Sequence, residues 1–526
     1  MTSGPRSEPP AVRRADLLPR LLLGLSALVG LYFSLGFVQH APLLWIAPVP
    51  LLLLAFELRW TAAACSTFII CYLALTNIFV AAGYTLESQN LAVYLGYGVD
   101  LENYYQPAVW YALTVTILVL ATRATLEQRP DWTSLWVYPL GWVAFEYLSA
   151  QVRGGDAVSS LAGTQLYFLP LVQLVSVTGV WGVTLLLTAV PAGIAGVWHF
   201  RYQPRQAALA LLVPLSLLTL VLVFGAWRLS REPSSKQIAV GIAAAADVFE
   251  SVEARSDGRP ETPQSGVALD EYARLVAQLA AAGAEVVLLR EKCVPATSAT
   301  QAEVRERIAQ LARSAEVTVI IGVEQHGDPG PPRTPGRNEA LVYAPGGQLL
   351  VDYAKVHMIR GLEDEFAPGA DPGLVPSTDP RWGVAICKDL DFPSWQRTYS
   401  REGVGILFVP ALDFGEDGWL HARSAVLRGI EGGFAVVRAG GQGLLTASDG
   451  RGRILAQTTT SPRGPVMVLV HVEPGSGSTF YAWTGDWLAW FSIAGLMVLL
   501  ARAFRQYLPR WRRTGGNELV VRSPNP

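Results

Sequence analysis

The sequence predicts an α-helical membrane domain followed by an α/β domain, on three observations. Its first 230 residues are mainly uncharged runs long enough for helices that cross a bilayer. Residues 235 to 475 have mixed polarity and short apolar bursts, the alternation of strands and helices in a globular fold. Only 16% of the 526 residues are charged and 51% are hydrophobic, too apolar a balance for an ordinary soluble protein and enough chain for more than one domain. The net charge of -2, with no basic stripe or recognition motif, argues against nucleic acid as a partner. Four cysteines do not make a disulfide scaffold: Cys65 and Cys71 lie in an apolar span, leaving Cys293 and Cys387 in the globular part.

Measured against the roughly 20 residues of one bilayer crossing, the uncharged stretches give candidate spans at 18 to 38, 41 to 56, 61 to 84, 104 to 122, 133 to 151, 169 to 198, 206 to 227 and 484 to 503. The second and last are short. No charge occurs between Asp156 and Arg201. That segment holds either one long helix with a membrane-dipping loop or two helices, and the choice inverts everything after it.

Loop charges arbitrate. With the N-terminus inside, Arg6, Arg13, Arg14 and Arg20 are cytoplasmic, as are Arg59, Arg123, Arg129, Arg201 and Arg205 in later loops and Arg502, Arg505, Arg510, Arg512 and Arg513 in the tail. The acidic loop with Glu87, Asp100 and Glu102 then falls outside. Arg228 and Arg231 count against this arrangement, but large domains cross regardless of such charges. A cleaved signal peptide at the first span is disfavoured, since further spans follow at once and no small-residue cleavage site is evident. The expected organisation is a cytoplasmic segment at 1 to 17, about seven membrane helices over 18 to 230, an extracytoplasmic domain over 231 to 480, a final membrane helix over 481 to 505 and a cytoplasmic tail over 506 to 526.

In the globular part, apolar bursts at 237 to 243, 285 to 290, 317 to 322, 340 to 344, 383 to 387, 405 to 409, 434 to 438 and 465 to 472 predict strands, with helices near 267 to 282, 301 to 314 and 418 to 432. Bursts apolar throughout belong inside a sheet covered on both faces. Pro- and Gly-rich loops at 327 to 336 and 367 to 380 punctuate them.

The chemistry concentrates at segment ends. Glu291 follows the apolar run in VVLLREKCVP, Lys355 follows a short extended run in DYAKVHMIRGLEDEF with Glu363 eight residues on, and Cys387 closes the run in GVAICKDLDFP. The carboxyl edge of a strand is where α/β folds place ligands. Thioester chemistry would assign Glu291 the thiol proton, Lys355 the stabilisation of thiolate and oxyanion, and Cys387 the attack. Each has an ordinary alternative, because strand-end Glu and Lys are usually solvated and a buried Cys is a common core residue.

These segments resemble the carbon-nitrogen hydrolase (nitrilase) superfamily, whose Glu, Lys and Cys come in this order at comparable separations. More narrowly, residues 18 to 505 resemble the apolipoprotein N-acyltransferase family, through LLWIAPVPLLLLAF, GWVAFEYL with Glu146, LVQLVSVTGVWGVTLLL and the Lys355 to Glu363 spacing. The resemblance implies an α-β-β-α sandwich on an eight-helix base in a bacterial inner membrane, with the catalytic domain on the periplasmic side. It implies Glu291 as base, Lys355 as the catalytic lysine, Cys387 as nucleophile, and Glu363 and Asp389 as supporting active-site carboxylates. It further implies a phospholipid acyl donor and a diacylglyceryl-cysteine lipoprotein acceptor. No metal or organic cofactor is expected, and the six histidines show no zinc-binding spacing.

The chain also departs from the pattern. Leu289 and Arg290 replace the usual Trp-Pro, Arg360, Gly361 and Leu362 replace Pro-Phe-Gly before Glu363, Lys388 and Asp389 replace Tyr-Glu, and ALDFGEDGWLH around Asp413 and Trp419 replaces an Asn-Asp-x-Trp-Phe segment. Two further readings therefore stay open: a membrane-tethered amidase or acyltransferase with another amine acceptor, and a noncatalytic lipid-binding or assembly protein.

Secondary candidates carry less. Glu146 is either costly at bilayer depth or a helix-end residue. Arg428 and Glu431 are read as a salt bridge within the helix that also bears His421. Tyr481, Trp483, Trp487 and Trp490 are read as interface anchors of the final helix, and Arg438 as structural. In an oxidising compartment Cys293 pairs with Cys387 if their α-carbons come within about 7 Å, and is otherwise an inert thiol.

Overall fold

The computed structural model describes residues 14–36, 39–75, 101–155, 160–231, 236–245, 265–328, 334–376, 378–413, 415, 418–461 and 464–505. Arg6, Arg13, Glu87, Asp100, Asp156, Arg510, Arg512 and Arg513 lie outside them.

The N-terminal part is a helical bundle: α1 (Arg14–Ser34), α2 (Pro48–Glu57), α3 (Trp60–Ala74), α4 (Leu101–Gln128), α5 (Val137–Val152), the single turns α6 (Leu169–Val172) and α7 (Val175–Thr178), then α8 (Trp181–His199) and α9 (Pro204–Leu229). Among the described residues, α1, α4, α8, α9 and one C-terminal helix are long and apolar enough to cross a membrane. Two expected spans differ. The stretch 41 to 56 divides into a 3-10 turn and the ten-residue α2, because Pro48 and Pro50 favour a new helix start there. The stretch 133 to 151 divides into a 3-10 turn capped by Asp131 and the 16-residue α5. Only the first part of 61 to 84 is described, as α3. The uncharged stretch 169 to 198 takes the first of its two readings, with two short turns leading into the single long helix α8.

The C-terminal part is a four-layer sandwich. One sheet orders its strands β13 (Val466–Val472), β1 (Ile238–Ala244), β2 (Val286–Leu289), β4 (Thr318–Gln325), β5 (Arg337–Tyr343) and β6 (Leu349–Ala354), with β3 (Val294–Ala296) also paired to β4. The other runs β12 (Ile454–Thr459), β11 (Leu444–Ser448), β10 (Ala435–Gly441), β9 (Val404–Leu412), β8 (Arg381–Val384) and β7 (Gly373–Val375). Strand alternation sorts the side chains. Val286 and Leu288 of β2 meet Ile406 and Phe408 of β9 between the sheets, whereas Val287 and Leu289 face outward onto α10 (Ser265–Ala281) and α11 (Gln301–Ala315). Leu407 and Val409 face the opposite outer layer, α12 (Pro393–Arg401) and α13 (Gly418–Gly432). A short α14 (Phe480–Thr484) and the apolar α15 (Trp487–Arg505) follow β13.

Helix α13 is apolar on both sides and joins the two parts. Ala425 packs under the sheet, while Val426, Leu427 and Ile430 enter the core of the helical bundle. Glu431 does form the expected ion pair with Arg428, at 3.1 Å, and its Oε1 also accepts from the backbone N–H of Val180 at the start of α8. Burial outweighs the nearby Arg428 and raises its carboxyl to about 7. A carboxyl raised in the folded state contributes stability below its unfolded value that is lost as pH climbs through the folded one. Melting of the solubilised full-length protein is therefore expected to become easier from about pH 4.5 to 7, by an amount on the order of 3 kcal/mol, and Glu431→Gln is expected to flatten that slope.

Tyr481 corrects the interface-anchor reading. It is fully buried, donating to Asp486 Oδ1 at 2.7 Å and accepting from Arg397 at 3.1 Å, because these partners satisfy a hydroxyl that would otherwise seek water. Trp483, Trp487 and Trp490 are exposed. Gly179, at φ +64, lets the chain pass under the Tyr481 ring, and a Cβ there would stand 2.6 Å from it. Gly179→Ala is expected to cost about 2 to 4 kcal/mol through strain and overpacking, measured by thermal or denaturant unfolding.

Candidate active site

Four strands deliver the polar groups. Glu291 lies two residues past β2, Asn338 on β5 and Lys355 directly after β6, all in one sheet with β4 between β2 and the adjacent β5 and β6, while Cys387 follows β8 of the other. Lys355 Nζ lies 2.9 Å from Glu291 Oε1 and 2.9 Å from Glu363 Oε2. Asn338 Nδ2 donates to Glu291 Oε1 at 2.6 Å and to Glu363 Oε1 at 2.9 Å, so one amide cross-links both carboxylates. Lys292 adds a second cation, 3.0 Å from Glu363 Oε1. All but Lys292 are essentially inaccessible.

The charges fit one another. Burial alone would strip the proton from Lys355, but the two carboxylates outweigh it and hold the ammonium well above the ordinary lysine value. Burial would likewise raise Glu363, and Lys355 and Lys292 instead bring it down to about 2.

Cys387 lies three residues beyond the last residue of β8, at φ +42, and opens the 3-10 turn Cys387–Asp391. A left-handed conformation at a residue with a side chain is strained, and such positions cluster at functional sites. The thiol donates to Leu412 O at 3.6 Å. Burial pushes its pKa well up, Glu291 adds to that, and Lys355 and Arg438 oppose both. The resting group is therefore a thiol close enough to Glu291 and Lys355 to feel their charges. The thiolate-favouring effect expected of Lys355 is present but is outweighed by desolvation.

Asp389 is placed differently from Glu363. It accepts from Ile386 N–H at 3.0 Å and Tyr353 O–H at 2.6 Å through Oδ2, and from Val356 N–H at 3.2 Å and His357 N–H at 2.8 Å through Oδ1. It thus ties the Cys387 turn to the segment leaving Lys355. Arg438 clamps Asp413 with two hydrogen bonds, one of 2.7 Å, and both are buried beside the site. Gly418, Gly440 and Gly443 make room, since a Cβ on any of them would crowd the Asp413 carboxylate. Cys293 and Cys387 are both free thiols. They face different cores, Cys293 outward under α10 with its thiol on Arg290 O at 2.8 Å and Cys387 between the sheets, which answers the pairing question.

Sequence reasoning missed Asn338, Lys292 and the Arg438–Asp413 pairing. An Asn-Glu pair opening an otherwise apolar burst was the available signal for Asn338. Glu146 accepts from Ser160 O–H at 2.9 Å, Leu161 N–H at 2.9 Å and Thr184 O–H at 2.8 Å, pinning the turn before α6 to α5 and α8.

Known proteins match both parts. The carbon-nitrogen hydrolase profile matches residues 264–473 and the profile of the apolipoprotein N-acyltransferase N-terminal domain matches residues 29–193. An apolipoprotein N-acyltransferase of Geobacter metallireducens is 26% identical over 93% of this chain and 97% of its own. The chain belongs to the apolipoprotein N-acyltransferase family. One from Gloeobacter violaceus is 26% identical over 78% of this chain and 79% of its own. An amidase from Nesterenkonia sp. aligns with 46% of this chain and 94% of its own at 18% identity, with a TM-score of 0.38. Glu291, Lys355 and Cys387 all fall within the carbon-nitrogen hydrolase match.

Proposed function

We propose that this protein N-acylates lipoproteins, moving an acyl chain from a membrane phospholipid through a thioester on Cys387 to the α-amino group of a diacylglyceryl-cysteine. The observation that carries it is the Lys355 ammonium held between Glu291 and Glu363 beside a buried thiol, in a domain whose α13 packs into an apolar helical bundle. In the first half-reaction Glu291 takes the thiol proton as sulfur attacks the ester carbonyl, and Lys355 stabilises the oxyanion. The proton returns to the departing lysophospholipid oxygen as the thioester forms. In the second, the amine attacks the thioester, Glu291 accepts the excess ammonium proton, and the thiol leaves with it. Lys355 and Asn338 both bind Glu291 Oε1, which directs Oε2 to the proton traffic.

Glu363 keeps Lys355 charged and Asp389 positions the nucleophile turn. Positive residues at Arg59, Arg123, Arg129, Arg201 and Arg205 support placing residues 231 to 480 on the periplasmic side of the inner membrane. The test is intact mass spectrometry after incubation with phospholipid. An acyl adduct on Cys387, discharged by a diacylglyceryl-cysteine peptide with acylation of its amine, is the expected result. Absence of the adduct in folded protein overturns the mechanism, and discharge to water alone would make it a hydrolase.

A further inference from the structure

Arg228 and Arg231, the charges that run against the loop-charge pattern, lie where α9 ends. That helix is long and apolar enough to cross a membrane, and its Leu220 and Val223 are 66% and 63% exposed. Trp227, itself exposed, closes this face, and the Arg231 guanidinium lies 4.2 Å over its ring. Apolar surface, then Trp, then Arg is the order in which a bilayer passes from hydrocarbon to headgroup.

The turn between β11 and β12 brings two more arginines to the same place. Arg453 Nη2 donates to Leu229 O at 2.6 Å and Arg451 Nη1 to Arg231 O at 2.6 Å. Arg228 Nη2 donates to Gly450 O at 3.4 Å and its Nη1 to Gln173 Oε1, while Gln173 Nε2 donates to Arg451 O at 2.9 Å. Arg228 is close enough to Arg231, Arg451 and Asp449 to feel all three charges.

These charges do not balance. Among the described residues, Asp449 is the one carboxylate that the four arginines contact. It is already engaged by the Arg453 guanidinium at 3.1 Å and by the N–H groups of Arg451 and Arg453 at 2.8 and 2.9 Å. The other guanidiniums meet carbonyls, an amide oxygen and an aromatic ring, which orient a cation without neutralising it. Positive charges fixed where water gives way to lipid are stabilised by an anion placed among them.

We propose that Arg228, Arg231, Arg451 and Arg453 hold the headgroup of an anionic phospholipid where α9 leaves the bilayer. Guanidinium forks suit phosphate oxygens. The surplus charge favours a lipid of net negative charge over a zwitterion, whose own ammonium already balances its phosphate. A phosphate held there touches both α9 and the β11–β12 turn, and so ties the α/β domain to the bundle.

The test is native mass spectrometry and thermal unfolding of the full-length protein in detergent, with ether-linked phosphatidylglycerol or phosphatidylethanolamine added. Ether lipids offer Cys387 no ester, which separates binding here from acyl transfer. Wild type is expected to retain phosphatidylglycerol at about tenfold lower concentration than phosphatidylethanolamine, to melt higher with it, and to lose that preference in about 1 M salt. Arg231→Gln combined with Arg451→Gln is expected to weaken phosphatidylglycerol retention about tenfold, to the phosphatidylethanolamine level, with melting in the absence of lipid near wild type. The corresponding pair of lysine variants is expected to keep most of the preference. If the glutamine pair fails to fold, Arg231→Gln alone carries the same comparison. Equal retention of the two lipids by wild type, or a glutamine variant that keeps the preference, overturns the proposal. An equal loss in Arg502→Gln combined with Arg505→Gln would mean diffuse attraction and overturn it too. So would millimolar inorganic phosphate raising the melting temperature as much as phosphatidylglycerol does, the mark of a free-anion site.

Discussion

Cys387→Ala is expected to abolish the acyl adduct and to lower lipoprotein acylation by at least about 10⁴-fold, with the fold intact. The thiol is the atom that carries the acyl group between two substrates, so nothing else in the pocket replaces it. The substitution is small and its site is forgiving: the thiol makes one long hydrogen bond, to Leu412 O at 3.6 Å. Melting close to wild type, with turnover gone, is the expected pair of results. Retained acylation by a stably folded Cys387→Ala protein would rule out covalent catalysis.

Glu291→Gln is expected to slow thioester formation about 10³-fold while leaving donor KM near wild type. Its reasoning starts from the resting thiol, which burial and the Glu291 charge hold protonated. Attack then needs a base at the moment of bond formation. Glutamine keeps the size of Glu291 and an oxygen for Lys355 and Asn338, but takes no proton. Rate against pH discriminates: the residual reaction should rise with pH as hydroxide replaces the missing base. If Glu291→Gln acylated Cys387 at the wild-type rate, the proton would have another acceptor and the assigned roles would fail.

The main architecture was legible because its strands bury both faces. The apolar bursts at 285 to 290 and 405 to 409 became β2 and β9 for that reason. Strands β11 and β12 escaped notice because their apolar residues are followed or interrupted by Thr446, Ser448, Gln457, Thr458 and Thr459, so neither makes a continuous apolar burst. Helix α12 escaped because only a narrow stripe with Tyr399 is apolar. Glu291, Lys355, Glu363 and Cys387 were visible from order and from segment ends. Asn338 and the Arg438–Asp413 clamp were not, since strand register creates those meetings: β5 beside β6 sets Asn338 against Lys355, and β10 beside β9 carries Arg438 toward the end of β9. Tyr481 was misread because a Trp- and Tyr-rich segment before an apolar helix looks alike whether its hydroxyls meet water or a buried Asp486.

Strands β1 and β13 are the first and last of the sandwich, yet they lie side by side, with Ile238 opposite Val472. The catalytic unit therefore leaves the bundle and rejoins it through two points about one strand spacing, 4.8 Å, apart. A self-contained soluble fold whose ends touch can be spliced between two successive membrane helices without parting them or threading either chain end. Such a graft hangs from a narrow stem, and α13, the Tyr481 ring beside Gly179 and the Gln173 bond to Arg451 O pack or tie it against the bundle and limit its swivelling.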